Sequence, residues 1–173
     1  MQIASSVLRP RIRSANQCIN ISRTALLLTA ACLLTGTAMA HGDVTPQSVN
    51  TATLPQLGEK WLSANPFSEG SANKEALRIG TSAYNQNCAR CHGLEAISGG
   101  IAPNLRKLDG DCMELADEAK KMACYKETDE FFLGTVRRGR VRDGRVYMPP
   151  FEGILNQEAI WAIKTYLETR REP

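Results

Sequence analysis

Residues 84–93 read YNQNCARCHG, and within them residues 88–92, CARCH, set two thiols and an imidazole almost side by side. Cys88 and Cys91 are separated by two residues, and His92 comes directly after. Three chemistries use such a set: a redox-active thiol pair, a structural zinc site, and covalent attachment of a haem. They need different compartments and different folds, so the flanking sequence decides among them.

The first forty residues differ from the rest of the 173-residue chain. Arg9, Arg11, Arg13 and Arg23 are their only charges, and no acid precedes Asp43. An apolar run, ALLLTAACLL at residues 25–34, leads into TGTAMA and then a polar stretch, HGDV. A basic start, a short apolar core and small residues at Ala38 and Ala40 are the features of a secretory signal peptide. A spanning helix needs about 20 apolar residues, more than this run holds. Cleavage after Ala40 is expected, with export to the periplasm and no membrane span afterwards. A membrane anchor is one alternative, and lipid attachment at Cys32, in TAAC, is another.

Loss of this leader alters two composition arguments. The formal charge of +3 rests on the leader arginines, and the remaining chain is close to neutral. The basic balance therefore carries no expectation of nucleic-acid binding. Cys18 and Cys32 also leave, so Cys88, Cys91, Cys112 and Cys124 remain in a compartment where disulfides persist. About 130 residues are left, enough for one domain with a modest core.

Residues 41–72 carry Pro46, Pro55 and Pro66 among many Ser, Thr and Asn. They read as an extended arm, with a short helical turn near LGEKWL and Trp61 as its anchor. His41, the expected new amino terminus, could offer an amine and an imidazole to copper, but a solvated tail is the commoner fate. From Asn73, the residues Ala76, Ile79, Gly80, Ala83 and Tyr84 recur at helical spacing up to Cys88. A second helix is expected over 129–138, capped by Thr128 and stopped by Gly139. A last one is expected over 157–171, capped by Asn156, with Ile160, Trp161, Ile163, Tyr166 and Leu167 as its apolar stripe. No strand is predicted, so residues 73–173 should form an all-α domain with long loops.

This setting decides the reading of CARCH. A thioredoxin-like pair needs a βαβ surround, and none is expected. A structural zinc site wants four ligands, usually in two close pairs, and Cys112 and Cys124 do not form a close second pair. Cys-x-x-Cys-His is instead the attachment motif for haem c, with two thioethers on the porphyrin edge and an imidazole on the iron. Cys88 and Cys91 are therefore the expected covalent sites and His92 the first axial ligand.

Of the three methionines after His92, Met113 and Met122 lie in the charged stretch CMELADEAKKMAC. Met148 lies in VYMPPF, where Pro149 holds it extended and Pro150 stiffens the segment leading to the last helix. Met148 is the expected second axial ligand, and thioether ligation raises the potential into a range suited to accepting electrons. Two free thiols are out of keeping with an exported chain, so Cys112 and Cys124 are expected to form a disulfide. As one straight helix the segment between them would hold the Cα atoms about 18 Å apart. A bridge needs roughly 4.4–6.8 Å, so residues 109–128 should double back as a stapled insertion.

The charges left after the leader are unevenly placed. Residues 109–130 hold eight acids and three bases, and residues 137–145 hold five arginines and one acid. Arg137, Arg138, Arg140, Arg142 and Arg145 run up to Met148 and are expected to steer the chain toward an acidic patch on a partner.

On these residues the sequence resembles the class I c-type cytochromes over roughly residues 73–168. GTSAY before CARCH is similar to the first-helix glycine and aromatic that pack on the final helix. APNL at residues 102–105 resembles the loop whose proline carbonyl, here that of Pro103, accepts a hydrogen bond from the haem histidine. More narrowly, HGDVTPQSV, NQNCARCHGLEAISGGIAPNLR and VRDGRVYMPPF resemble the periplasmic c-550-type cytochromes that serve quinoprotein alcohol dehydrogenases. The resemblance implies a class I cytochrome c fold, with N- and C-terminal helices around one covalent haem. It implies a monomeric electron carrier, not an enzyme, with a pyrroloquinoline quinone (PQQ)-dependent alcohol dehydrogenase as donor and a terminal oxidase or another cytochrome as acceptor. The alternatives are a haem subunit fixed in a dehydrogenase complex and an open-site haem peroxidase or sensor. Residues 109–128 depart from the compact class I pattern.

Overall fold

The computed structural model describes residues 45–172. The expected signal peptide, Cys32 and His41 lie outside the described residues. Helix α1, Asn73–Asn87, runs into a single turn, α2, Ala89–His92. Helix α3, Gly110–Met113, is short, and α4, Glu118–Arg138, is the longest element. Strands β1, Arg140–Arg142, and β2, Arg145–Met148, pair antiparallel before α5, Gln157–Glu168, closes the chain.

Helices α1 and α5 cross at the centre of the core. A Cβ added to Gly80 would lie 1.8 Å from the Ala162 carbonyl oxygen, so the two backbones touch where Gly80 has no side chain. Beside this crossing, Ala76, Ile79 and Ala83 of α1 are buried with Ile160, Trp161, Ile163 and Leu167 of α5. The Tyr84 and Tyr166 rings lie 4.9 Å apart, tilted. Each such large apolar side chain contributes about 1.5–3 kcal/mol relative to exposure.

Three expectations are corrected in detail. No helical turn forms near LGEKWL, and residues 45–72 instead wrap α5 through polar contacts. Leu57 N–H donates to Glu158 Oε1 at 2.7 Å, and Leu62 N–H donates to Gln157 Oε1 at 3.2 Å. Gln157 Nε2 donates back to the Gly58 carbonyl at 2.7 Å. Helix α5 is thus buried on all sides rather than along one stripe, and its side chains satisfy the arm's backbone. Trp61 stays half-buried, with the Arg137 guanidinium stacked 4.2 Å from its ring centroid.

Helix α4 starts at Glu118, eleven residues before the expected start at Asp129. Asp117 caps it, accepting from Lys120 N–H at 3.0 Å. Ala, Lys, Met and Glu, strong helix formers, fill these added turns. Residues 109–128 do double back: α3, a turn and the start of α4 bring Cys112 and Cys124 into a disulfide with Cα atoms 5.5 Å apart.

The strands are the third correction. Asp143 and Gly144 have φ of +50° and +72°, the left-handed pair of a two-residue type I′ hairpin. The Asp-Gly dipeptide between RVR and RVYM is the signal for this turn.

The Lys164 ammonium is buried among carboxylates. Lys164, 1% exposed, places Nζ 3.2 Å from Asp109, 2.9 Å from Asp129 and 3.1 Å from Glu168. Arg171 reaches Asp109 at 2.6 Å, and Asn65 N–H donates to Asp129 at 2.7 Å. Arm, insertion, α4 and α5 therefore meet at one ammonium. Burial opposes its charge, but Glu168, Asp109 and Asp129 outweigh that and raise its pKa above the ordinary 10.5.

Candidate metal centre

Helix α1 delivers the Cys-x-x-Cys-His turn and fixes it at both ends. Asn87 is buried; its Oδ1 accepts from Gln47 N–H at 2.7 Å and its Nδ2 donates to the Ala83 carbonyl at 3.1 Å. After the turn, the Tyr84 hydroxyl donates to the Gly93 carbonyl at 2.8 Å. Burial, with Cys88 and Tyr166 nearby, raises the Tyr84 pKa, so the phenol stays a donor. Tyr84 thus joins the helix crossing to the residue after His92, a role the helical periodicity alone does not reveal.

Cys88 and Cys91 are both free thiols. Burial, and next the neighbouring Cys91, push the Cys88 thiol up to about 12. Among the described residues no group of three or more His, Cys, Asp or Glu side chains could hold a metal ion by itself.

His92 Nδ1 lies 2.9 Å from the Pro103 carbonyl oxygen. A carbonyl can only accept, so Nδ1 carries the proton and Nε2 keeps its lone pair. Burial lowers the His92 pKa, against the Pro103 contact that raises it. A neutral ring with Nε2 free is what an iron ligand requires. The loop after His92 holds Glu95 and Ala96 at φ of +56° and +62°, unfavourable for both residues, and leaves Leu94, Ile97 and Ile101 exposed.

Met148 ends β2, half-buried and packed against the core cluster, while Met113 and Met122 are exposed. Its backbone position is set by the end of α4. Phe151 N–H donates to the Val136 carbonyl at 3.1 Å and Glu152 N–H to the Arg137 carbonyl at 3.2 Å. The last carbonyls of the helix, which lack partners within it, are thus taken by the segment after Met148. Gly139, φ +67°, makes the approach possible, because a Cβ there would sit 2.3 Å from the Met148 carbonyl oxygen.

The donor set fits a haem better than any bare ion. Two unbridged thiols and one oriented neutral imidazole match two covalent links and one bond to a haem iron. Exposed Leu94, Ile97 and Ile101 offer apolar surface for a large planar group to cover.

The expected docking arginines do not share one state. Arg137 pairs with Glu152 and stacks on Trp61, whereas Arg138, Arg140, Arg142 and Arg145 are exposed. No helix among the described residues is long and apolar enough to cross a membrane.

Comparison with known proteins agrees with this chemistry. A family model described as cytochrome c oxidase, cbb3-type, subunit III matches residues 75–167. Cytochrome c550 of Pseudomonas aeruginosa is 49% identical over 145 residues, covering 83% of this chain and 90% of that protein. The quinohemoprotein alcohol dehydrogenase ADH-IIG of Pseudomonas putida is 33% identical over 100 residues, 58% of this chain but only 11% of the dehydrogenase. Cytochrome b/c1 of Bradyrhizobium diazoefficiens is 31% identical over 100 residues, 58% of this chain and 14% of that protein. No solved structure matches the chain.

Proposed function

The chain belongs to the c-type cytochromes, as an electron-transfer protein with covalent haem c and a class I fold, and on that premise we propose how its residues hold the haem and which redox partners it serves. Cys88 and Cys91 would form the thioethers, and His92 and Met148 would ligate the iron. Bound haem iron supplies the chemistry, passing between ferric and ferrous states. The chain's own residues orient and exclude. Pro103 fixes the His92 tautomer, Tyr84 fixes the turn, and α4 with Gly139 holds the Met148 segment. With Met148 as second ligand the iron would have no open position, which favours the carrier reading over an open-site peroxidase or sensor.

The donor is a PQQ-dependent alcohol dehydrogenase, and the acceptor is a terminal oxidase or another cytochrome. The observation behind the donor is that the residues carrying the haem motif align with part of a protein named a quinohemoprotein alcohol dehydrogenase. The setting is the periplasm, reached by a signal peptide over residues 1–40. The chain then divides into the arm at 41–72 and the haem domain from 73, with 109–128 as a stapled insertion. Stopped-flow reduction of the holoprotein by a purified PQQ-dependent dehydrogenase tests the donor; slow reduction at saturating dehydrogenase would count against it. Binding of carbon monoxide by the reduced protein would instead indicate an open iron.

The same alignment favours one second reading. The dehydrogenase contains its matching segment within a single longer chain, so this chain could serve as a fixed haem subunit. Co-purification of a dehydrogenase at constant stoichiometry would select that reading over a free carrier.

A further inference from the structure

Strands β1 and β2 project a short ribbon whose make-up is poor for stability. The register sets Arg142 opposite Arg145 and Val141 opposite Val146. Like charges directly opposite one another destabilise a strand pair. The one acid within the ribbon is Asp143, whose Oδ2 is 3.7 Å from Arg142 Nε, and both side chains are largely solvated. Such a pair contributes little. Arg140 is held over the Phe131 ring at 5.1 Å and donates to Thr135 Oγ1 at 2.6 Å, so it is positioned without being neutralised. Val141, Val146 and Tyr147 remain 66%, 64% and 64% exposed on the same ribbon.

A ribbon that only closed a loop would need neither the facing arginines nor the exposed apolar residues. Cations set among exposed apolar side chains suit a transient protein contact, in which charge orients the encounter and apolar area completes it. The ribbon is also continuous with Met148, the last residue of β2. We infer that the β1–β2 ribbon, through Arg138, Arg140, Arg142 and Arg145 with Val141 and Tyr147, is the docking surface for an acidic patch on the electron donor. This narrows the five expected arginines to four, because Arg137 is engaged by Glu152 and Trp61. The inference rests on the proposed reading of the donor as a PQQ-dependent dehydrogenase.

The test uses the full-length holoprotein carrying Arg142→Glu and Arg145→Glu, with a purified PQQ-dependent alcohol dehydrogenase as reductant. Both side chains are exposed, so the fold should tolerate the change; an unchanged ferric spectrum and melting temperature verify this. The second-order rate of reduction should fall about tenfold or more at low ionic strength, and the gap should close as salt screens the encounter. Arg142→Gln with Arg145→Gln should give a smaller loss in the same direction. If the wild-type protein is reduced and the Glu variant keeps pace at low salt, the docking surface is wrong and the donor reading stands. If the dehydrogenase does not reduce even the wild type, the donor reading fails and takes the assigned partner with it. Retention of the ribbon's charge dependence only toward vesicles of anionic phospholipid would overturn the protein partner in favour of a membrane surface.

Discussion

Replacing Gly139 by alanine should displace Met148, the proposed iron ligand, without altering its side chain. Gly139 closes α4 at φ +67° and ψ −165°, a region essentially restricted to glycine. Forcing alanine into it costs of the order of 1–3 kcal/mol. The steric effect is more specific. The new Cβ would lie 2.3 Å from the Met148 carbonyl oxygen and 2.7 Å from Pro149 C and Pro150 N. Carbon and oxygen settle at about 3.3 Å, so the Met148–Pro149 peptide must retreat by about 1 Å. It cannot carry the whole segment along, because Phe151 and Glu152 are hydrogen-bonded to α4 and Phe151 is buried. The displacement therefore falls on Met148 itself. The weak thioether–ferric absorption near the red end of the spectrum should diminish and the midpoint potential should fall, read by spectroscopy and potentiometric titration of the holoprotein. Gly70→Ala supplies the control, since φ there is +84° but no atom lies within 4 Å of the new Cβ. It should lower the melting temperature and leave band and potential alone. The same outcome for Gly139→Ala, lost stability with an unaltered band, would refute the idea that Gly139 positions the ligand.

Met148→Ala should abolish the thioether–ferric band and lower the potential, whereas Met113→Ala and Met122→Ala, at exposed positions, should preserve both. Cys112→Ser with Cys124→Ser should cost about 3 kcal/mol in denaturant unfolding; the band should survive, because Asp129, Phe132, Leu133 and Val136 anchor α4 between Cys124 and Gly139. Lys164→Met removes the ammonium shared by Asp109, Asp129 and Glu168 and should cost about 3–5 kcal/mol. Since the folded-state pKa of Lys164 is raised above 10.5, its contribution is complete below that pH and declines as pH climbs toward the folded value. Wild-type stability should therefore fall more steeply than that of Lys164→Met above pH 10.5 in paired melts.

The parts of this fold legible in the sequence are those governed by local pattern. Helix α1 ends beside Cys88 as its periodicity indicates, and Asn156 caps α5 as expected, its Oδ1 accepting from Ala159 N–H at 3.0 Å. CARCH states its own chemistry because the spacing of thiols and imidazole is itself the geometry. The ribbon escaped because its seven strand residues alternate arginine with apolar side chains and bury almost none of them. Hydrophobic periodicity reports burial, so a strand without a buried face gives no such signal, and Asp143–Gly144 was its one usable mark. The polar side of α5 misled for the opposite reason. Gln157, Glu158 and Lys164 read as a solvent face, yet all three are buried because the arm and Asp109 arrive from distant positions.

The long start of α4 also changes what the insertion means physically. Cys124 lies near one end of the helix and Gly139 caps the other, with Asp129 held on Lys164 between them. At 1.5 Å per residue, 21 residues span about 31 Å, a stiff lever compared with a loop. A helix starting at Asp129 would keep the buried Asp129, Phe132, Leu133 and Val136 but would put its fraying first turn among them. Extending it into a disulfide-closed segment lengthens the hydrogen-bonded run and moves the fraying end away from the ligand. On this account the staple stabilises the start of α4, while Asp129, Phe132, Leu133 and Val136 keep its C-terminal carbonyls at the segment after Met148.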